Sequence, residues 1–440
     1  MMFQRTRLVN ELLAHKDNGR IKILSGVRRC GKSYLLNHLY RQALYEQGVR
    51  QEDILFLALD EIQNNDNLNP LTLEKTIRQF MEGKKHVYVF LDEVQKVFRI
   101  KNPVLTNGRI VLAKRKSDSD ITFGNVLSGF ADNPQIDLYV TGSNSHMLSS
   151  EMVTEFRDRG DEIRVYPLSY EEILEGEQPS ETALDHYLTY GGMPYAAELR
   201  NDAMRQSYLK ELYLVTYRKD ILELHHPVEY PQHLETLVRL LASINASEVS
   251  VSTLEKTFTS KGSKEMTAYY ISRYLSYLEE SFLISQVEER NIRGKKNIGR
   301  NKKVYFTDVG LRNALLDFAS PDLGHGMENV IYLELLRRGF QVETGKIDRV
   351  ETDQNNNRVR KNLECDFIAA RGNERFYLQS CLSLYDPKKE KAELASLLSI
   401  HDAFPKILIL YESVPMYRTE EGVIVVSLSD FLLHPEMVGM

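Results

Sequence analysis

Eight residues, "GVRRCGKS" (26–33), set two glycines, a lysine and a serine at the spacing G-x-x-x-x-G-K-[S/T], which suits a loop that wraps phosphates. Gly26 and Gly31 let the backbone curl, and Val27, Arg28, Arg29, Cys30, Ser33 and Tyr34 complete the expected cradle. Lys32 is expected on the outer phosphates of a nucleotide, and the Ser33 hydroxyl on a magnesium ion. About sixty residues downstream, the apolar run "HVYVFLDEVQ" (86–95) ends in two acids. Asp92 is expected in the magnesium shell, and Glu93 as the group that orients and deprotonates the attacking water. A third run, "IDLYVTGSNSHML" (136–148), turns polar where a sensor of the gamma-phosphate belongs, with Asn144 the first choice and Ser143 its rival. Beyond it, "EFRDRGDEIRVYPLSYEEIL" (155–174) places Arg157 and Arg159 beside Gly160. An arginine brought to the gamma-phosphate stabilises transition-state charge, often from a neighbouring subunit. A solvated turn, with Asp158 and Asp161 pairing both arginines, is the alternative.

Such groups need elements to hold them. "IKILS" before the loop and "SYLLNHLYRQAL" after it read as the strand and helix that a phosphate loop joins. Strands alternating with helices across 20–170 predict a parallel sheet with crossover helices, with ligands at the carboxyl ends of its strands. The loop, the acid pair and the polar turn all fall at such ends.

From Asp202 to about Ala319 apolar residues recur three and four apart, as in helices. "SVSTLEKTFT" and "MTAYYISRYLSYLEESFLI" read as a helix-turn-helix, with "LISQVEER" and "KKVYFTD" as the strands of a wing. Between those strands, "RNIRGKKNIGRNKK" (290–303) carries seven basic residues and no acid. Arg293, Lys295, Lys296, Arg300, Lys302 and Lys303 are therefore candidates for nucleic-acid phosphate contacts, with DNA the expected partner. A solvated loop tip on a protein-binding module is the alternative. Arg109, Lys114, Arg115 and Lys116 could add to the same surface. Further on, "MENVIYLELLRRGFQVETGK" (327–346) reads as a helix leading into a strand, and four more strand-like runs follow between 364 and 428.

The set "GVRRCGKS", "FLDEVQ", "YVTGSNSHMLS", "RDRGDEIRVYPLSYEE" and "YLTYGGMP" (187–194) resembles a prokaryotic family of AAA+ ATPases. Members of that family carry a winged helix and a C-terminal domain of unknown function with a restriction-endonuclease-like fold. The resemblance implies ATP as the nucleotide, an arginine finger within 157–159, and a ring or dimer sharing the site. It maps Glu328 and Asp366 onto the acids of a nuclease metal site. Gln379 then stands where a third acid belongs, and Cys381 where the lysine belongs. Without that lysine, water activation and charge stabilisation at phosphate lack their usual agent, so a degenerate nuclease site is expected. The segment 99–123 is longer than the family's compact form, and Asp158 stands where the family pattern has glycine.

The totals agree with this division. A chain of 440 residues is too long for one ordinary core. The expected order is α/β: a P-loop parallel-sheet domain (1–200), a helical and winged-helix domain (201–320), and a small restriction-endonuclease-like α/β domain (321–440). With 42% hydrophobic and 27% charged residues, wholesale disorder is excluded. A net charge of −6 argues against a surface coated in cations, while leaving room for a local basic patch. Cys30, Cys365 and Cys381 are too irregularly spaced for a disulfide framework or a zinc site. No apolar run has signal-peptide form or the roughly 18 residues of a membrane span, which predicts a cytoplasmic protein. The expected function is ATP hydrolysis, with Mg2+, coupled to a grip on nucleic acid. A nucleotide-controlled protein-interaction switch is the second reading, and an ATP-gated nuclease the third.

Overall fold

The computed structural model describes residues 3–113, 117, 119–142, 160–174, 179–218, 221–222, 228–292, 301–319, 322–352, 358–383 and 387–437. Two compact units result: Met1–Tyr166 with Glu280–Phe282, and Pro167–Glu279 with Leu283–Met440.

In the first unit, β1 (Ile21–Ser25), β2 (Ile54–Ala58), β3 (Val87–Asp92), β6 (Ile136–Gly142) and β7 (Gly160–Arg164) form a five-stranded sheet. Their order is β2-β3-β6-β1-β7, and every pairing is parallel. β3 and β6 are buried at each position, as continuous apolar runs must be in a sheet covered on both faces. Helix Pro70–Met81 starts with proline at its first position, behind an Asn69 side chain that accepts from the Leu71 amide. It lays Leu73 and Ile77 on Val87, Val89 and Leu91. Because β6 lies between β1 and β3, its carboxyl end opens between the phosphate loop and the acid pair. The long segment after β3 folds into an antiparallel pair, β4 (Ile100–Lys101) with β5 (Asp120–Ile121). Arg109 is exposed on it, whereas Lys114, Arg115 and Lys116 lie outside the described residues.

In the second unit, helices Val251–Ser260 and Ala268–Glu280 precede the antiparallel pair β9 (Ile284–Asn291) and β10 (Lys302–Phe306). The short β8 (Glu248–Val249) pairs with the far side of β10. β11 (Gln341–Thr352) then joins β9 in parallel, Thr344 beside Glu289. Beyond it run β12 (Arg358–Arg371), β13 (Glu374–Cys381), β14 (Lys406–Leu410), β16 (Ile424–Ser427) and β15 (Tyr417–Arg418). The boundary expected between 320 and 321 is thus crossed by one nine-stranded sheet. The reason is edge chemistry: β9 would otherwise present a row of unpaired amides and carbonyls, which β11 satisfies.

The boundary expected at 200 also moves, to the neighbourhood of Tyr166. The motif "YLTYGGMP" belongs to the second unit and works there as a weld. A Cβ on Gly192 would sit 2.0 Å from the Leu168 carbonyl oxygen, and one on Gly310 2.0 Å from that of Tyr190. The buried Asp308 carboxylate accepts from the Gly192 amide at 2.6 Å and the Leu311 amide at 3.0 Å. Asn313 donates to the carbonyls of Leu188 (3.0 Å) and Thr189 (2.9 Å).

Asp308→Ala would strand two buried amides, at about 1–3 kcal/mol each, so a stability loss of about 2–6 kcal/mol is expected in denaturant titration. Burial lifts the Asp308 carboxyl from 3.8 to about 6, against hydrogen bonds from Gly192 and Leu311 that lower it. A folded value above the unfolded one means that this stabilisation is complete below about pH 4 and is lost as pH rises through about 6. The cost of Asp308→Ala should therefore be larger near pH 4 than near pH 8.

Candidate active site

The phosphate loop leaves β1 through Gly26 at φ 153°, where a Cβ would lie 2.1 Å from the Val165 carbonyl oxygen. Only glycine fits that approach. Arg29 (φ 64°) and Gly31 (φ 100°) turn the chain in the left-handed region, and a helix starts at Lys32. Val27 and Cys30 are buried beneath the loop, Arg28 is half-buried, and Arg29, Ser33 and Tyr34 are exposed. The Lys32 ammonium is folded into its own loop, donating to the carbonyls of Gly26 (2.8 Å) and Val27 (3.1 Å). It is therefore parked where the outer phosphates of a nucleotide would compete for it.

The expected magnesium ligands come together. Ser33 hydrogen-bonds the Asp92 carboxylate, and Thr141 donates to the same carboxylate at 2.5 Å. Burial holds the Asp92 carboxyl above its ordinary value, while the hydrogen bonds from Thr141 and Ser33 pull it down. A buried carboxylate so placed gains from a cation beside it, so Ser33 and Asp92 fit a hard divalent ion with oxygen ligands. When bound, such an ion neutralises charge on the outer phosphates.

Glu93 sits at φ 56°, an uncommon conformation for a side chain of this kind. Its amide donates to the Thr141 hydroxyl at 3.0 Å, and the Gln95 side-chain amide donates to its carboxylate. Thr141 therefore fixes both acids, one through the side chain and one through the backbone. Thr141 directly follows the buried run "IDLYV" at the carboxyl end of β6, and a hydroxyl at that end is the signal that could have found it. Ser143, Asn144, Arg157 and Arg159 lie outside the described residues.

Arg5 is a second residue that the sequence gave no reason to choose. It is 5% exposed and donates to the Cys30 carbonyl at 2.8 Å and to that of Tyr166 at 2.6 Å. It ties the underside of the phosphate loop to the end of the unit. Nothing in "MMFQRTRLV" distinguishes it from Arg7.

The basic hairpin needs a correction. Arg293, Lys295, Lys296 and Arg300 lie outside the described residues, and Lys302 is half-buried at the start of β10. Lys303 is 4% exposed and pairs with Glu328, so it is no phosphate contact. Strand alternation turns it inward, a periodicity hidden by counting cations alone. Glu328, Asp366 and Gln379 do converge, around a cavity of about 250 Å³ that Cys381 also lines.

Residues 18–174 match a family model described as an AAA domain, and residues 181–322 match one described as a domain of unknown function, DUF8612. An uncharacterised protein of Haemophilus influenzae is 29% identical over 442 aligned positions, covering 98% of this chain and 99% of the relative. One from Methanocaldococcus jannaschii is 27% identical, covering 87% of this chain and 79% of its own. Among solved structures, a Walker-type ATPase of Pyrococcus abyssi is 17% identical and covers 71% of this chain and 96% of its own, with a TM-score of 0.48. The N-terminal segment is thus a P-loop domain of the AAA type, which supports ATP binding and hydrolysis. No helix among the described residues is long and apolar enough to cross a membrane.

Proposed function

We propose that this chain binds ATP with Mg2+, hydrolyses it, and uses the cycle to change its grip on DNA. The observation that carries the reading is the meeting of Ser33, Asp92 and Thr141 at the mouth of the phosphate loop. In this reading Glu93 activates the attacking water, Asn144 senses the gamma-phosphate, and Arg157 or Arg159 reaches the site of a neighbouring copy in a ring or dimer. Support for DNA comes from the second unit. Two helices and the β8, β9 and β10 strands follow the order of a winged helix, and Lys256, Lys261 and Lys264 are exposed on and after the first helix. A protein-interaction switch is the second reading, favoured by one observation: the burial of Lys303 removes a cation from the hairpin.

ATPase rates measured with and without single-stranded, duplex and branched DNA test the proposal, and a rate indifferent to all three would favour the switch. The hairpin has its own test. Each neutralised phosphate contributes about −0.9 to the slope of log affinity against log salt. Changing Arg293, Lys295, Lys296 and Arg300 to Ala should flatten that slope by roughly two to four units while basal hydrolysis holds. Unchanged DNA affinity in this variant would make the hairpin a solvated loop.

A further inference from the structure

The family resemblance implies a divalent cation between Glu328 and Asp366, and the side chains gathered there do not fit one. Helix Leu323–Arg337 brings Glu328, β12 brings Glu364 and Asp366, β13 brings Gln379 and Ser380, and β10 brings Lys303. The Lys303 ammonium lies 2.9 Å from Glu328 Oε1 and 2.5 Å from Glu364 Oε1. The Tyr305 hydroxyl donates to the same Glu328 oxygen at 2.7 Å. Asp366 Oδ2 accepts from the Ser380 amide (2.8 Å) and hydroxyl (2.6 Å), and its Oδ1 from the Gln379 side-chain amide (3.0 Å). Gln379 in turn accepts the Asp366 backbone amide at 3.2 Å. It thus turns donor hydrogens toward Asp366, where a metal site would offer another lone pair.

A hard divalent ion needs oxygen lone pairs converging on one point, and an amide NH2 repels it. Here both Asp366 oxygens and Glu328 Oε1 already meet hydrogens of the protein itself, and the Gln379 amide also donates to Glu393 at 3.2 Å. We infer that Lys303 is the resident cation of this cluster: its ammonium holds the place that the resemblance gives to a metal, and the polar network closes without one. Such a lysine can stay buried and charged only among carboxylates. Burial acts to lower its ordinary value, and Glu328, Asp366 and Glu364 outweigh that and raise it. Burial and the neighbouring Asp366 raise the Glu328 carboxyl, while Lys303 and the Tyr305 hydroxyl pull it down. The lysine missing from position 381 is thus met by one that the strand order delivers from 303. It neutralises acids there and is not free to activate water.

The test uses the full chain without nucleotide, with millimolar Mn2+ as probe and the melting temperature and bound Mn2+ as readouts. The parent and Asp366→Asn should bind equal amounts of Mn2+. Lys303→Met, which removes the ammonium at nearly equal length, should gain Mn2+ and rise in melting temperature by several degrees as the uncovered acids take the ion. An Mn2+ response of the parent that Asp366→Asn abolishes would overturn the inference, as would a folded Lys303→Met that ignores Mn2+. Should Lys303→Met fail to fold, the comparison of the parent with Asp366→Asn still decides.

Discussion

Glu93→Gln should bind ATP and hold it, with turnover reduced by about 10²- to 10⁴-fold, the range that a positioned general base supplies. The substitution is conservative in shape. The Glu93 backbone is held by Thr141 from β6, and its side chain meets Gln95, so the glutamine can occupy the same place with an amide in contact. What disappears is the ability to take a proton from water. Single-turnover hydrolysis and retention of labelled ATP separate the two effects, and hydrolysis at the parent rate would remove Glu93 from the mechanism. Because the Glu93 backbone is left-handed, Glu93→Val would do more than remove the base, since a branched Cβ strains that conformation. Its melting temperature should fall, whereas that of Glu93→Gln should not.

Lys32→Ala should weaken ATP binding by about two to three orders of magnitude, since charge-assisted hydrogen bonds to the outer phosphates contribute about 1.5–3 kcal/mol each. The fold should survive at reduced stability, since the buried carbonyls of Gly26 and Val27 lose the ammonium that now satisfies them, at about 1–3 kcal/mol each. Titration calorimetry with ATP and a melting curve measure the two quantities on one sample. Near-parent affinity would mean that backbone amides alone hold the phosphates.

Much of the first unit was legible because its signals are local. Gly26 to Ser33 is contiguous, and an apolar run ending in Asp92 and Glu93 declares a buried strand and its carboxyl end together. Five parallel strands and the meeting of Ser33 with Asp92 follow the spacing. Arg5 was illegible, because it acts through two backbone carbonyls that carry no residue signature. Thr141 was not singled out, because attention fell on the polar residues after the strand, and Ser143 and Asn144 lie outside the described residues. In the second unit β12, β13, β14 and β16 fall on the strand-like runs, but how they join the rest did not show. Pairing of β9 with β11 links residues more than fifty apart through backbone alone, and no local pattern encodes it. The same gap hid the role of Lys303, since a cation in a basic stretch gives no hint of an acid on a later helix.

The nine-stranded sheet also decides how this chain can be cut and made. A fragment ending near residue 320 would lose β11 and leave β9 as a raw edge, ready to pair with another copy. It would also leave the Lys303 ammonium without Glu328 and Glu364. During synthesis β9 and β10 emerge before β11, so that edge stays open until residues 341–352 have emerged. A C-terminal fragment meant to fold should therefore begin before β9 and keep the hairpin with β11.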